Sequence, residues 1–235
     1  MQKRAIILAG GKGTRLRPYT ISLPKPLVPL GDKPILERII VQLKAHGFTH
    51  ITITLNHMAE MIKAFFNDGS RWGVKIDYTI EEKPLSTMGP LTLIKDLPEN
   101  FLVMNGDVLT DLNFGNFFQE HEQNDSIFTI ASHRRTEMID YGLLHHDENN
   151  KLIKFEEKPN YDFLVSMGVY MLNRSVLKYI PEDTFFGFDH LMFKLLEVNK
   201  PATVFEFDGF WLDIGRPSDY EMAIEKINDP NFKIV

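Results

Sequence analysis

Apolar positions along this chain recur in two alternating rhythms. Ala5–Ala9 (AIILA) is a short unbroken apolar run ending in glycines, the pattern of a strand buried on both faces. After a glycine-rich and then proline-rich loop, Gly10 to Pro34, the residues Ile35, Leu36, Ile39, Ile40 and Leu43 fall at helical spacing, with Gly47 placed as a C-cap. Ile51–Leu55 (ITITL) is a β-branched strand, and Met58, Met61, Ile62, Phe65 and Phe66 predict a second helix whose methionines belong to the core. Val74–Ile80 reads as a third strand and Leu91–Lys95 as part of a third helix. Phe101–Met104 (FLVM) is a fourth strand that ends at Asn105-Gly106-Asp107, and Asn113 caps a helix over Phe114–Gln123 before a fifth strand, Ile127–Ala131.

This βαβα order predicts an α/β fold with a mainly parallel, doubly wound sheet and helices on both faces. Such sheets bind ligands at the carboxyl ends of their strands. The loops after Ala9 and after Met104 both lie at such ends. The second half is richer in strands. Leu143–His145, Leu152–Glu156 and Phe163–Leu172 predict antiparallel or mixed pairing, and helices return at Asp189–Val198 and Ser218–Ile227. The whole span 1–235 reads as one domain, with a mixed-strand insertion that completes a pocket.

Composition narrows the chemistry. A formal charge of −6 argues against a face built for nucleic-acid backbone but leaves room for a local cationic pocket. There are no cysteines, which removes disulfides, thiolate metal sites and cysteine nucleophiles and fits a cytoplasmic setting. The apolar run after Lys3 and Arg4 is shorter than the roughly 7–15 residues of a secretory core. No stretch reaches the about 20 apolar residues of a membrane span.

The densest local signal is Leu8–Leu16 (LAGGKGTRL), where a strand empties into Gly10, Gly11 and Gly13 ahead of Thr14 and Arg15. Glycines let amides turn inward and a bulky anion come close, and arginine offers a fork of donors to phosphate. A tight turn beside a surface arginine is the bland alternative. The loop is neither GxxxxGK[ST] nor GxGxxG, since position 16 is leucine. Further on, Pro24 and Pro26 brace Lys25 from both sides, presenting an ammonium rigidly; by itself such a lysine is more often a solvated connector residue. His145 and His146, adjacent on a strand, point to opposite faces and do not chelate together. Trp72 and Trp211 read as packing residues.

LAGGKGTRL followed by PKPLVPLGDKPILE resembles the signature of the sugar-1-phosphate nucleotidyltransferases, the NDP-sugar pyrophosphorylases. The resemblance continues through Glu82–Pro90 (EKPLSTMGP), Asn105–Asp107 (NGD), Tyr141-Gly142, Phe155–Pro159 (FEEKP), Met167–Tyr170 (MGVY) and Trp211–Gly215 (WLDIG), in the family's order over essentially all 235 residues. It implies a Rossmann-like mixed sheet with an insertion forming the sugar pocket. It also implies transfer of a nucleotidyl group from an NTP to a sugar 1-phosphate with release of pyrophosphate, by in-line attack on the α-phosphorus. No protein base is needed, because a phosphate monoester with a second pKa near 6 is already mostly ionised. The lack of a convincing Ser/His/Asp or Cys/His set fits that chemistry.

The resemblance assigns roles residue by residue. Arg15 and Lys25 act on the reacting phosphates. Leu8, Gly10, Gly11, Gly13, Thr14, Glu82, Thr87 and Gly89 hold the nucleotide. Asn105, Tyr141, Gly142, Glu157, Lys158 and Gly168 hold the sugar phosphate, and Asp107 and Asp213 hold one Mg²⁺. Read alone, the run ending at Lys158 would be a solvated charge cluster, and Asp107 a turn-former. Where the family usually shows Gly-Thr-Ala/Gly-Gly, this chain has Ser86-Thr87-Met88-Gly89. Gly89–Leu91 and Ile180-Pro181 are similar to the mannose-1-phosphate guanylyltransferase-like branch, including heptose-phosphate guanylyltransferases. That implies GTP with a mannose- or heptose-type sugar phosphate; UTP, CTP or dTTP with another hexose 1-phosphate is the alternative. A glycosyltransferase would want a DxD, whereas Asp107 and Asp111 are spaced DxxxD. A non-catalytic sensor of nucleotide-sugars is the other alternative, although Arg15, Lys25, Asp107 and Asp213 are all present. The expected partners are the NTP and the sugar 1-phosphate, with no nucleic acid and no membrane; a homodimer is left open. The last motif lies about 20 residues from the end, so no C-terminal β-helix domain is expected.

Overall fold

The first apolar run forms β1 (Lys3–Leu8). It leads through a small hairpin, β2 (Pro29–Leu30) and β3 (Lys33–Pro34), into helix α1 (Ile35–Ala45). β4 (Phe48–Leu55), α2 (Ala59–Phe66), β5 (Lys75–Ile80) and β6 (Asn100–Asn105) follow. β7 (Val108–Thr110) precedes α3 (Phe114–Gln123), whose Asn113 side chain accepts a 2.9 Å hydrogen bond from the Asn116 amide as an N-cap. The remainder comprises β8 (Phe128–Met138), β9 (Leu143–His146), β10 (Leu152–Glu156), β11 (Asn160–Asn173), α4 (Phe188–Glu197), β12 (Thr203–Phe207), β13 (Trp211–Asp213) and α5 (Pro217–Asn228). A computed structural model describes residues 3–232 and 234; Met1, Gln2, Lys233 and Val235, at the ends of the expected 1–235 unit, lie outside the described residues. Among those described, no helix is long and apolar enough to cross a membrane.

Seven strands make the central sheet in the order β12-β8-β11-β6-β1-β4-β5. β1 pairs in parallel with β4 and β6, β4 with β5, and β12 with β8, while β11 runs against both β6 and β8. Alternate residues of the central strands feed two separate cores. Ala5 and Ile7 of β1, Leu102 and Met104 of β6, and Val169 and Met171 of β11 join the side covered by α1, α2, α3 and α5. Ile6, Phe101, Val103, Tyr170 and Leu172 join the side covered by α4 and two 3₁₀ turns. Because both faces are covered, the strands read as continuous apolar runs.

The doubly wound, mainly parallel sheet matches the sequence reading, with specific differences. Phe163–Leu172 is not part of an insertion: as β11 it is a central strand between β8 and β6. The expected fifth strand continues seven residues beyond Ala131, and its outer half, paired to the start of β11, is exposed and polar, so it carries no apolar alternation. Leu91–Lys95 is a 3₁₀ turn over Gly89–Leu93. Met61 is exposed rather than core, and Met58 sits at the αL residue just before α2. The C-cap of α1 is His46, and the expected Gly47 stands one position later, at φ +86°. Trp72 does pack, against Phe65 and Phe66.

Outside the sheet, β9 and β10 form a hairpin on an outward arm. His145 there pairs with Glu156 at 2.7 Å and His146 is exposed, as the strand geometry required.

Candidate active site

Four parallel strands, β5, β4, β1 and β6, end side by side, and a cavity of about 430 Å³ opens over their carboxyl ends. Each strand end contributes to its wall: Leu8–Lys12 after β1, Thr54 and Asn56 at β4, Glu81 after β5, and Asn105–Asp107 after β6. Backbone bonds lock these ends together. The Ala9 amide donates to Thr54 O at 3.0 Å, the Gly106 amide to Leu8 O at 2.9 Å, and the Glu81 amide to Leu55 O at 2.9 Å. The opposite wall is Pro84, Ser86, Thr87 and Phe185.

Lys25 enters this cavity from its proline-braced 3₁₀ turn and ion-pairs with Asp107 Oδ2. Asp107 Oδ1 is buried without a hydrogen-bond partner among the described residues. Facing it is Asp213. The antiparallel ribbon of β7 and β13 sets Asp213 opposite Val108, and the Ile214 amide donates to Asp107 O at 3.0 Å. Burial raises the Asp213 pKa and the Asp107 charge adds to the rise, while Lys25 and Arg15 pull it back. Two carboxylates are thus held close with two cations against them. A buried orphan oxygen beside a second acid fits a hard divalent ion, which takes one or two carboxylates and leaves its other positions to water and substrate phosphates.

A second cavity, about 590 Å³, shares Asn105 with the first. Its wall includes Arg15, Arg134, Arg135 and Arg216 as well as Asp213, Gly168 and Trp211. Arg15 Nη2, Asp213 Oδ2 and Asp219 Oδ2 all lie 3.4–3.5 Å from where a Gly215 β-carbon would sit. Trp211 is a strut as well as a wall, since its indole N–H donates to Met167 O at 3.0 Å. Gly168 has φ +71°, and a β-carbon there would come within 2.5 Å of Asn105 Nδ2. Gly168→Ala is therefore expected to cost about 1–3 kcal/mol and to displace Asn105 from the seam of the two cavities. Thermal unfolding and initial-rate measurements should fall together.

Leu8, Gly10, Gly11, Lys25, Thr87, Asn105 and Asp107 line the first cavity, and Arg15, Asn105, Gly168 and Asp213 the second. Gly13 and Thr14 stand at the rim turn, where Gly13 O accepts from the Thr20 hydroxyl at 2.7 Å. Thr87 turns its oxygen to the Phe188 amide at 2.8 Å, so it also anchors the start of α4. Other expected positions fall elsewhere. Glu82 is exposed and off the cavity wall; its neighbour Glu81 takes that place, because only one of two adjacent residues can point inward at a strand end. Gly89 is buried under Thr184 O, where it makes room for the backbone rather than for a ligand.

Tyr141, Gly142, Glu157 and Lys158 line neither cavity. They sit on the arm beyond Thr136, the outermost β8 residue on the wall of the second cavity and two positions before Met138, which pairs with Asn160. Tyr141 is 78% exposed, and Lys158 pairs with Asp140 at 2.7 Å.

The departure at Ser86–Gly89 also has a structural resolution. Met88 is fully buried in the α4-side core, so its bulk stays out of the cavity. Ser86 holds φ +66°, a left-handed position in a block where the resemblance has glycine.

The description "Nucleotidyl transferase" belongs to a family model that matches residues 4–230. This chain belongs to that family. The chain is 33% identical to a UTP–glucose-1-phosphate uridylyltransferase of Synechocystis sp., over 99% of this chain and 65% of that protein. It is 37% identical to a probable mannose-1-phosphate guanylyltransferase 1 of Oryza sativa, over 92% of this chain and 62% of that protein. The chain thus spans a little under two thirds of the length of these curated relatives. Among solved structures it resembles HddC from Yersinia pseudotuberculosis complexed with GMP-PN, with TM-score 0.72, 28% identity and coverage of 97% and 100% of the two chains. It also resembles a putative glucose-1-phosphate thymidylyltransferase of Bacillus anthracis in complex with a sucrose, with TM-score 0.77, 25% identity and coverage of 98% and 97%.

Glu81, Thr54, Asn56, Arg134 and Arg135 were not anticipated from the sequence. Glu81 had a usable signal: it directly follows a strand whose carboxyl end lies in the binding row. Arg134 and Arg135 had none, lying in a stretch that reads as an ordinary charged surface.

Proposed function

We propose that this chain transfers a nucleotidyl group from an NTP to a sugar 1-phosphate and releases pyrophosphate. The observation that carries the reading is the Lys25–Asp107–Asp213 group at the seam of a strand-end cavity and an arginine-lined cavity. One cavity suits the nucleotide and the other a second anion, and the seam is where their phosphates would meet. The Gly10–Gly11 loop gives close approach along the triphosphate. Lys25 sits where charge builds on the α-phosphate, and Arg15 meets the polyphosphate from the second cavity. Arg134, Arg135 and Arg216 draw in the sugar phosphate. Chemistry then needs alignment and charge neutralisation, since the attacking phosphate oxygen brings its own negative charge. Asp107 and Asp213 would hold Mg²⁺, which when bound neutralises phosphate oxygens.

Within this reading the substrates are GTP and a mannose- or heptose-type sugar 1-phosphate. The guanylyltransferase name of the rice relative and the GMP-PN bound by HddC support guanine. The uridylyl- and thymidylyltransferase names of the other two relatives define the competing choice. Pyrophosphate release across a matrix of four NTPs and several sugar 1-phosphates, with and without a chelator, tests all of this. The expected result is a guanine-dependent signal abolished by chelation. No turnover with any pair removes the proposed reaction.

A further inference from the structure

Of the two cations at the seam, Lys25 is fixed by Asp107, but the Arg15 guanidinium makes no hydrogen bond or ion pair among the described residues. Its place is therefore set by its backbone. That backbone closes on itself. The Leu16 amide donates to Gly13 O at 3.0 Å, the Tyr19 amide to Leu16 O at 3.2 Å, and the Thr20 hydroxyl to Gly13 O at 2.7 Å. Leu16 seats this turn in the core. A turn bonded to itself moves as one piece, so its aim depends on what holds it from outside.

The outside contact is Tyr220, in the first turn of α5. Its ring lies against Tyr19, centroids 4.6 Å apart, and its hydroxyl donates to Pro29 O at 2.7 Å. Tyr19 stands four residues after Arg15 and Pro29 four residues after Lys25, so one side chain grips both flanks of the loop. Burial, with Tyr19 beside it, raises the Tyr220 pKa, and the hydroxyl keeps its proton to donate. On the other side, the Asp219 carboxylate closes the short turn from β13 into α5. Its Oδ2 accepts from the Gly215 amide at 3.1 Å and the Arg216 amide at 2.7 Å. The start of α5 is thereby made stiff with respect to Asp213. Tyr220 itself lines neither cavity, although Asp219 and Met222 line the second. Ala223 already gives α5 a fully buried contact with the core, so the Tyr220 hydroxyl adds a directional bond that burial of the helix does not require.

We infer that Tyr220 is a positioning residue: it ties the Arg15 loop to the ribbon that carries Asp213, and so fixes the guanidinium against the two acids at the seam. This rests on the nucleotidyl-transfer reading above. Displacement between two polyanions is driven by alignment and charge neutralisation, and a misplacement of about 1 Å at the reacting groups costs on the order of 10²-fold in rate. Lys25 keeps its own brace in Asp107. Arg15 has none, so loosening the clamp falls on Arg15.

The test is a double-mutant cycle read by pyrophosphate release, with melting temperature measured alongside. Tyr220→Phe keeps the ring against Tyr19 and loses the bond to Pro29, whereas Tyr220→Ala loses both. The first should lower kcat about 3–10-fold and the second about 30–100-fold. KM for the NTP should move less than about 3-fold, because the strand-end cavity is built without Tyr220. In an Arg15→Ala background the same Tyr220 substitutions should cost less than about 2-fold, since a residue that acts through Arg15 then has nothing left to place. A tyrosine that only packs α5 would lower the melting temperature and cost the same with or without Arg15. An undiminished effect in the Arg15→Ala background overturns the inference, and so does wild-type kcat in a folded Tyr220→Ala protein. If Tyr220→Ala does not fold, the Tyr220→Phe arm decides by the same criterion. An additive cycle leaves nucleotidyl transfer standing, whereas absence of wild-type turnover with every NTP removes that reading itself.

Discussion

Lys25→Ala lowers kcat by about 10²–10³-fold, with a smaller change in KM for the nucleotide. Removal of one preorganised charge partner of a phosphoryl transition state is expected to act on that scale. Lys25 is suited to such a role because little is spent on fixing it: Pro24 and Pro26 flank it, its turn is largely buried, and Asp107 holds its ammonium. The substitution also leaves Asp107 facing Asp213 with only Arg15 in compensation, so the melting temperature should fall by a few degrees at most. Pyrophosphate-release kinetics with circular dichroism as a folding check separate the two effects. A folded Lys25→Ala protein with wild-type kcat would take Lys25 away from the reacting phosphates.

Asp213→Asn is expected to move activity and stability in opposite directions. Turnover should drop by about 10²-fold or more, because one of the two acids at the cavity seam is lost. The folded protein should become more stable in metal-free buffer at neutral pH. The sign follows from the raised pKa. Burial and the neighbouring Asp107 both disfavour ionised Asp213 in the folded chain, so its charge costs stability once the pH exceeds the ordinary carboxylate range. A neutral amide of the same shape removes that cost. At this chain length a gain of about 1 kcal/mol corresponds to roughly 2–4 °C in melting temperature. The gain should vanish at acid pH, where the aspartate is protonated whether folded or not. Scanning calorimetry across pH reads this directly. A variant that is both less stable and less active would mark Asp213 as a structural acid instead. The expected pattern is that of a functional site held at some expense to the fold.

How far these features were legible before the structure depends on whether they obey a local rule. β1 and β6 are buried on both faces and so read as uninterrupted apolar runs, β4 showed itself by its β-branched residues, and the Asn113 cap was visible from one residue type ahead of a periodic stretch. Gly10, Gly11, Lys25, Asp107 and Asp213 were legible because strand ends, prolines and misplaced acids stand out locally. The outer half of β8 was not, since exposed strands lose the alternation that marks them. The choice between Glu81 and Glu82 was not legible either: two identical side chains in sequence differ only in the facing set by the last turn of β5. For Tyr141, Gly142, Glu157 and Lys158, spacing along the chain carries no information on which way an arm points, and the arm holds them just past the Thr136 edge of the second cavity.

The arm has a consequence for the dynamics of the protein. Leu144, Leu152, Ile153 and Phe155 of its hairpin are all more than half exposed, so little apolar burial holds β9 to β10. Backbone amides there should trade deuterium through small local openings that cost a fraction of the global unfolding free energy. Those of β1 and β6, sealed between two cores, should exchange only when the whole sheet comes apart. Exchange rates would then divide this polypeptide into a slow heart that keeps the Gly10 and Asp107 loops in place and a fast limb beside it.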